Sequence, residues 1–317
     1  MPTFLITGGA GFIGSHVVRE LVERGDRVRV LDDLSSGHLE NLEDVLDAIE
    51  FVDSDIRALD RIRPCFEGAD YVVHLAAVSS VVRSLEDPVG SNSVNVDGTL
   101  NVLVAARDAG AKRLVFAASA AVYGDSPTLP RSESQEPQPL SPYALTKLTG
   151  EYYCGLFTRV FGLEAVALRF FNIFGPRQDP QSPYTGVLSK FIQAYLRDET
   201  PVIFGDGEQS RDFTYVANVV KAVLGACSAP EAAGEAINVG TGTSYTLNQI
   251  IVLLNLIFER QVTPRHAPPR LGDVRHSRAD LARARRLLGY EPGVGVEEGL
   301  RRTVEWCRSL WAEGVRS

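Results

Sequence analysis

The sequence predicts an α/β fold, a doubly wound parallel sheet with a smaller mixed α/β C-terminal part. Three observations carry this reading. Short β-branched runs alternate with helical stretches through the first half of the chain. The runs are almost continuously apolar, as strands covered on both faces are. A glycine-rich turn joins the first of them to the first helix. A length of 317 residues suits about two domains or one large α/β unit. With 44% hydrophobic and 23% charged residues, disorder, collagen and a disulfide mini-scaffold are excluded as overall descriptions.

Taken in order, strands are expected at 3–7, 27–31, 50–53, 70–74, 113–118 and 164–168. Helices are expected between them at 12–24, 58–66, 93–109 and 142–161. Beyond residue 168 the alternation loosens. Residues 174–183 read as a proline-rich loop and 204–207 as a turn. Helices follow at 186–197, 216–227, 247–258, 278–288 and 296–310, with a basic, irregular stretch at 268–278. The division this suggests is a nucleotide-binding domain over 1–170 and a mainly substrate-binding domain over 171–317, the chain being free to cross between them.

The net charge is −8, with neither a basic surplus nor a basic stripe, so nucleic acid is not an expected partner. An anionic ligand would have to be held by a few placed arginines and by backbone amides. The four cysteines, Cys65, Cys154, Cys227 and Cys307, are far apart and read as buried thiols in a reducing compartment. No apolar run reaches the roughly 18 residues that span a bilayer. Residues 1–15 break into glycines without a preceding basic region, unlike a signal peptide. A cytoplasmic protein without a membrane partner is expected.

The turn Thr7-Gly-Gly-Ala-Gly-Phe-Ile-Gly14 stands between a strand and a helix, where a dinucleotide-binding loop belongs. Gly8 permits the tight turn, Gly11 lets the backbone approach a pyrophosphate, and Gly14 lets helix and strand pack closely. The pyrophosphate would rest on free amides at the helix N-terminus. Asp32 ends the second strand, 18 residues after Gly14. A carboxylate there accepts from a ribose 2′-hydroxyl and repels a 2′-phosphate, which selects NAD over NADP. The sheet is therefore expected to be of the Rossmann type. Asp55 and Ile56, after the third strand, could frame the adenine, and Asp55 could equally cap a helix.

Tyr143 and Lys147 lie four residues apart behind Pro142, on one face of a helix that proline can start. A lysine cation about 5 Å away would lower a tyrosine pKa by roughly 2 units. Tyr143 could then exchange a proton with a hydroxyl near neutral pH. Ser119 closes the fifth strand, at the sheet edge where ligands collect, and can orient that hydroxyl.

Together, Gly8-x-x-Gly11-x-x-Gly14, His74-Leu-Ala-Ala77, Ser119 before Val122-Tyr-Gly124, Tyr143-x-x-x-Lys147 and Arg169-Phe-Phe-Asn172 resemble the extended short-chain dehydrogenase/reductases. The nearest branch is the UDP-glucose (UDP-galactose) 4-epimerases, including those acting on UDP-N-acetylglucosamine. The resemblance covers nearly the whole chain. It implies that Tyr143 takes the proton of the sugar 4-hydroxyl, that Lys147 holds a cofactor ribose and the phenol, and that Ser119 orients the hydroxyl. A hydride would pass from C4 to NAD and return to the other face of a 4-keto sugar. Phe12, Ile13, Leu75, Ala76, Ala77, Asn95 and Phe170 match positions of the NAD cleft.

For the substrate half, the resemblance assigns Asn172, Arg211 and Arg270 to the diphosphate, Val187 and Leu188 to the uracil, and Asp273 to the uridine ribose. Phe213 stands where many relatives carry tyrosine. Ala120 and Ala121 occupy positions where dehydratases and decarboxylases commonly place an acid, which favours epimerisation. Ser277 matches a position whose bulk limits space beside the sugar. A serine there leaves room for an N-acetyl group, and Ser277 could also cap a helix at 278. A UDP-glucuronate 4-epimerase, served by Arg177, remains an alternative, as does a dinucleotide-binding sensor without turnover. His74 reads as a satisfied structural residue, and the other histidines show no metal-ligand spacing. The resemblance also implies a homodimer through the helices at 95–109 and 143–161, with Val96, Leu100, Leu103 and Val104 as surplus apolar surface.

Overall fold

The computed structural model describes residues 1–179, 186–269 and 274–312. Its centre is a seven-stranded sheet, all parallel. The strands are β1 (Thr3–Thr7), β2 (Arg27–Asp32), β3 (Ile49–Asp53), β4 (Tyr71–His74), β5 (Arg113–Ser119), β6 (Glu164–Phe170) and β7 (Ala236–Val239). They lie in the order β3-β2-β1-β4-β5-β6-β7. Chain order reverses between β1 and β4, and ligands bind beyond the carboxyl ends of strands at such a switch point.

The six strands expected from sequence are all present, with ends moved by one or two residues. The seventh, β7, was not expected. Its four residues are embedded among glycines, and nothing local distinguishes them from a loop. It pairs with β6 from Ala236 opposite Ala167 to Val239 opposite Phe170.

The two faces of the sheet follow the period of two along each strand. Phe4, Ile6, Val28, Val30, Val115 and Val166 face helices α1 (Phe12–Glu23) and, from the second half of the chain, Val216–Ser228. Leu5, Leu31, Val72, Leu114 and Ala165 face α2 (Thr99–Asp108) and α3 (Pro142–Leu156). A third core joins Phe191 and Ile192 of helix Val187–Leu196 to Ile250 and Leu254 of helix Leu247–Phe258 and to Leu300 and Val304 of the last helix, Val296–Ala312.

Three expected helices are shorter or less regular than the sequence suggested. The stretch at 58–66 is an α-turn, Leu59–Ile62, running into a 3-10 turn, Arg63–Phe66, where Pro64 removes a donor. The helix at 93–109 begins with a π-helical stretch, Ser93–Gly98, before α2 proper. The helix expected from 278 starts only at Ala282. Residues 39–48 also form a 3-10 helix that was not expected.

Candidate active site

Beyond the carboxyl edge of the sheet lies a cleft of about 1330 Å³. The loop after β1 forms its floor. Gly8 has φ +71°, a left-handed conformation that glycine adopts without strain. A Cβ on Gly8 would also stand 2.6 Å from the Ala76 amide nitrogen. On Gly14 it would stand 2.1 Å from the Gly8 carbonyl oxygen, so helix and loop can pack this closely only without a side chain. Gly11 occupies the N-cap of α1, and no side chain caps that end. Amides at an uncapped helix start suit an anion. Gly8, Gly11, Phe12, Ile13 and Gly14 all line the cleft.

Asp32 also lines the cleft while being only 7% exposed. Its oxygens accept from the Ala10 and Leu34 amides, both at 2.9 Å. Burial raises its pKa and the two amides oppose that rise. The carboxylate is thus held by backbone at the end of β2, where a ribose would meet it. Ile56, Leu75, Ala76, Ala77 and Phe170 complete this half of the wall. The glycine cradle, the uncapped helix start and the fixed carboxylate fit a dinucleotide without a 2′-phosphate.

Two residues expected in this half stand back from it. Asp55 does not line the cleft; its carboxylate pairs with the Arg57 guanidinium at 2.5 Å and accepts from the Arg57 amide at 2.8 Å. Asn95 is 2% exposed and lies behind the wall. Its amide group exchanges hydrogen bonds with the Val78 backbone at 2.8 and 3.0 Å and donates to Thr146 Oγ1 at 3.1 Å. Asn95 therefore ties the loop after β4 to α3, a brace that its sequence position did not announce.

Ser119, Tyr143 and Lys147 all line the cleft, and the Tyr143 phenol shares a hydrogen bond with Ser119. Ser119 ends β5 and its Oγ accepts from the Ala121 amide at 3.2 Å. Helix α3 starts where chemistry requires it: Ser141 caps it through the Ala144 amide at 3.2 Å and Pro142 opens its first turn. Ser84 Oγ accepts the Tyr143 amide at 3.1 Å, which fixes the tyrosine's own backbone. Lys147 is 4% exposed; its Nζ donates to the Ala117 carbonyl at 2.8 Å and lies 5.0 Å from the Phe116 ring centroid.

The electrostatics differ from the expectation that Lys147 would depress Tyr143. Burial raises the Tyr143 phenol, and a hydrogen bond with Ser119 pulls it back only in part. Burial brings Lys147 down to about 8. The reason is geometric, because the ammonium is held on the Ala117 carbonyl in a dry setting, where a charge is costly.

Farther along, Asn172, Val187, Arg211 and Ser277 line the same cleft. Leu188, expected beside the uracil, and Phe213, expected among the substrate-binding residues, do not; they are 3% and 2% exposed and belong to the third core. Arg270 and Asp273 lie outside the described residues. Ser277 does not cap a helix, since the helix begins at Ala282 with Leu281 as its cap residue. Instead its amide donates to the Ser210 carbonyl at 3.0 Å, pinning this wall beside Arg211. Asp212 anchors the chain next to Arg211. Fully buried, it accepts from the Thr241 amide and hydroxyl, the Gly242 amide and the Ala279 amide at 2.7–3.1 Å. Only its place between Arg211 and Phe213 hinted at a role.

His74 is neutral and satisfied, set between the Thr7 and Thr99 hydroxyls at 2.7 and 3.0 Å, with its pKa lowered by burial to about 3. Among the described residues no cluster of histidine, cysteine and carboxylate side chains could hold a metal. No described helix is long and apolar enough to cross a membrane.

A dinucleotide loop, a ribose-facing aspartate and a Ser–Tyr–Lys set at one sheet edge define an NAD-dependent enzyme of the extended short-chain dehydrogenase/reductase type. The profile of the NAD dependent epimerase/dehydratase family matches residues 4–240, and the chain belongs to that family. The UDP-glucose 4-epimerase of Mycolicibacterium smegmatis is 41% identical over 309 residues, 96% of this chain and 98% of that protein. Similar solved structures include the Thermotoga maritima UDP-glucose 4-epimerase with UDP-glucose, at TM-score 0.93 and 40% identity over 98% of this chain and 99% of that one. The UDP-N-acetylglucosamine 4-epimerase of Methanobrevibacter ruminantium, in complex with UDP-N-acetylmuramic acid, also matches at TM-score 0.93, with 39% identity over 97% and 98%. Relatives at 33% and 32% identity are a UDP-glucuronate 4-epimerase and a UDP-N-acetyl-α-D-glucosaminuronate decarboxylase.

Proposed function

We propose that this enzyme interconverts UDP-hexoses that differ at C4, UDP-Glc with UDP-Gal and UDP-GlcNAc with UDP-GalNAc. The observation that carries the reading is the meeting of Ser119, Tyr143 and Lys147 in one cleft with the dinucleotide cradle. Bound NAD supplies a hydride acceptor and donor for sugar C4 and, when oxidised, a positive ring charge. Gly8, Gly11, Phe12, Ile13, Gly14 and Asp32 hold it, with Ile56, Leu75, Ala76, Ala77 and Phe170 around it. Tyr143 would take the 4-hydroxyl proton as C4 gives up its hydride, the two losses together leaving a 4-keto sugar, and would return the proton when the turned-over sugar regains the hydride. Ser119 orients that hydroxyl. Lys147 holds the cofactor ribose. Asn172 and Arg211 receive the diphosphate, and the resemblance assigns Arg270 to the diphosphate and Asp273 to the uridine ribose as well.

Ala120 and Ala121 line the cleft directly after Ser119 and offer no acid for elimination. This supports epimerisation over dehydration or decarboxylation. Arg177 also lines the cleft, and together with the 33%-identical glucuronate relative it favours UDP-glucuronate as the second reading. The protein is proposed to act in the cytoplasm as a homodimer. The test of mechanism is Tyr143→Phe. Epimer formation falls by about 100- to 10,000-fold, as for loss of a general base, while NAD content and melting temperature hold. Retained turnover would refute the assignment.

A further inference from the structure

Arg131 is a buried cation that the mechanism above does not use. It is 2% exposed and among the largest fully buried side chains of the protein, yet it lines the cleft with Ser119, Tyr143 and Ser277. Among the described residues it forms no ion pair. Its Nη1 donates to the Thr128 carbonyl at 3.3 Å and its Nη2 to the His276 carbonyl at 3.4 Å, both long. A guanidinium carries five donors, so three are left unused by these contacts. Burial lowers its pKa, and the charge of Asp125, which forms no ion pair with it, offsets that only in part, so the cation is incompletely compensated by the protein's own groups.

The backbone around Arg131 is held from both sides. Its amide donates to the Arg278 carbonyl at 2.7 Å, and its own carbonyl accepts from the Asp280 amide and from Asn238 Nδ2, each at 2.8 Å. His276, which Arg131 touches, immediately precedes Ser277. The cation is therefore fixed in the cleft wall beside Ser277.

Resting on the reading of the cleft as a UDP-hexose site, we propose that Arg131 is a specificity residue that recognises an acyl oxygen on the sugar. That oxygen is the carbonyl of a 2-acetamido group or the carboxylate of a 6-uronate. Both are planar oxygen acceptors that a guanidinium fork matches, and UDP-Glc carries neither.

The test compares kcat/KM of wild type, Arg131→Met and Arg131→Lys on UDP-Glc, UDP-GlcNAc and UDP-GlcA. In Arg131→Met, kcat/KM for one acyl-bearing sugar falls at least about tenfold relative to UDP-Glc, the size of one charge-assisted hydrogen bond. Arg131→Lys restores part of that ratio. The sugar affected identifies the acyl group. An unchanged ratio, an equal fall on all three sugars, or a wild type confined to UDP-Glc overturns the proposal and leaves Arg131 as a clamp on its two carbonyls. A wild type inactive on all three sugars overturns the epimerase reading itself.

Discussion

At the scale of single residues, the site divides by how narrowly the chemistry specifies a side chain. A proton carrier, a lysine one helical turn away and a carboxylate at the end of β2 have few substitutes, so Tyr143, Lys147 and Asp32 stood out in the sequence. All three line the cleft. Apolar positions carry no such mark. Leu188 and Phe213 would look the same beside a uracil or in a core, and both lie in the core. Arg131 and Asp212 were unmarked in the sequence, and Asn95 was read as a cleft residue rather than a brace, because the partners that define these roles, Val78, Thr241, Ala279 and His276, are 17 to 145 residues away. Ser277 belongs to this scale. A tyrosine there would fill the space beside the sugar and act by exclusion. In Ser277→Tyr, the ratio of kcat/KM for UDP-GlcNAc over UDP-Glc falls by about two orders of magnitude, read by product analysis on each sugar. An unchanged ratio would remove Ser277 as the gate.

At the scale of elements, the strand–loop–helix unit at the N-terminus is held by contacts that no side chain could share. The predicted Cβ clash of 2.1 Å at Gly14 is with backbone, which has nowhere to yield. Gly14→Ala therefore costs about 1–3 kcal/mol through overpacking and opens the loop. It lowers the melting temperature and the NAD recovered after denaturation, whereas a variant that melts and retains NAD like wild type would contradict this packing. The local grammar of α3 was legible, because Ser141 and Pro142 announce its start. Its end at Phe161 was legible too, but not its change of winding: the regular helix stops at Leu156 and widens into a π-helical turn, Phe157–Phe161, before Gly162 at φ +73° reverses the chain. Strand β7 was missed because its pairing with β6, not its own four residues, makes it a strand.

At the scale of the whole molecule, the two halves are interleaved. The second half supplies β7 to the central sheet, and its helix Val216–Ser228 shares one core with α1. Only three-dimensional closure reveals that. The surplus apolar surface also lies elsewhere than on α2 alone. Leu103 is fully buried in its own core, and Val96, Leu100 and Val104 are half-buried. One group of exposed apolar side chains lies on α3 and on the short helices Val81–Glu86 and Pro88–Asn92: Tyr152 at 63%, Leu156 at 40%, Leu85 at 61% and Val89 at 79%. Patches of this kind mark protein contacts. The protein is expected to sediment as a dimer, and Leu156→Glu combined with Tyr152→Glu to shift it to monomer; a wild type that sediments as monomer at micromolar concentration would refute this.

The central claim is that one cleft oxidises and re-reduces sugar C4 with a retained cofactor. It is tested most directly by incubating the purified protein, without added NAD, with UDP-Glc, UDP-GlcNAc and UDP-GlcA in turn and following the C4 epimer. The expected result is epimer from UDP-Glc and UDP-GlcNAc, with no net NADH released. No epimer from any of the three, even after NAD is supplied, would contradict the claim and return the protein to another nucleotide-sugar reaction or to a binding role.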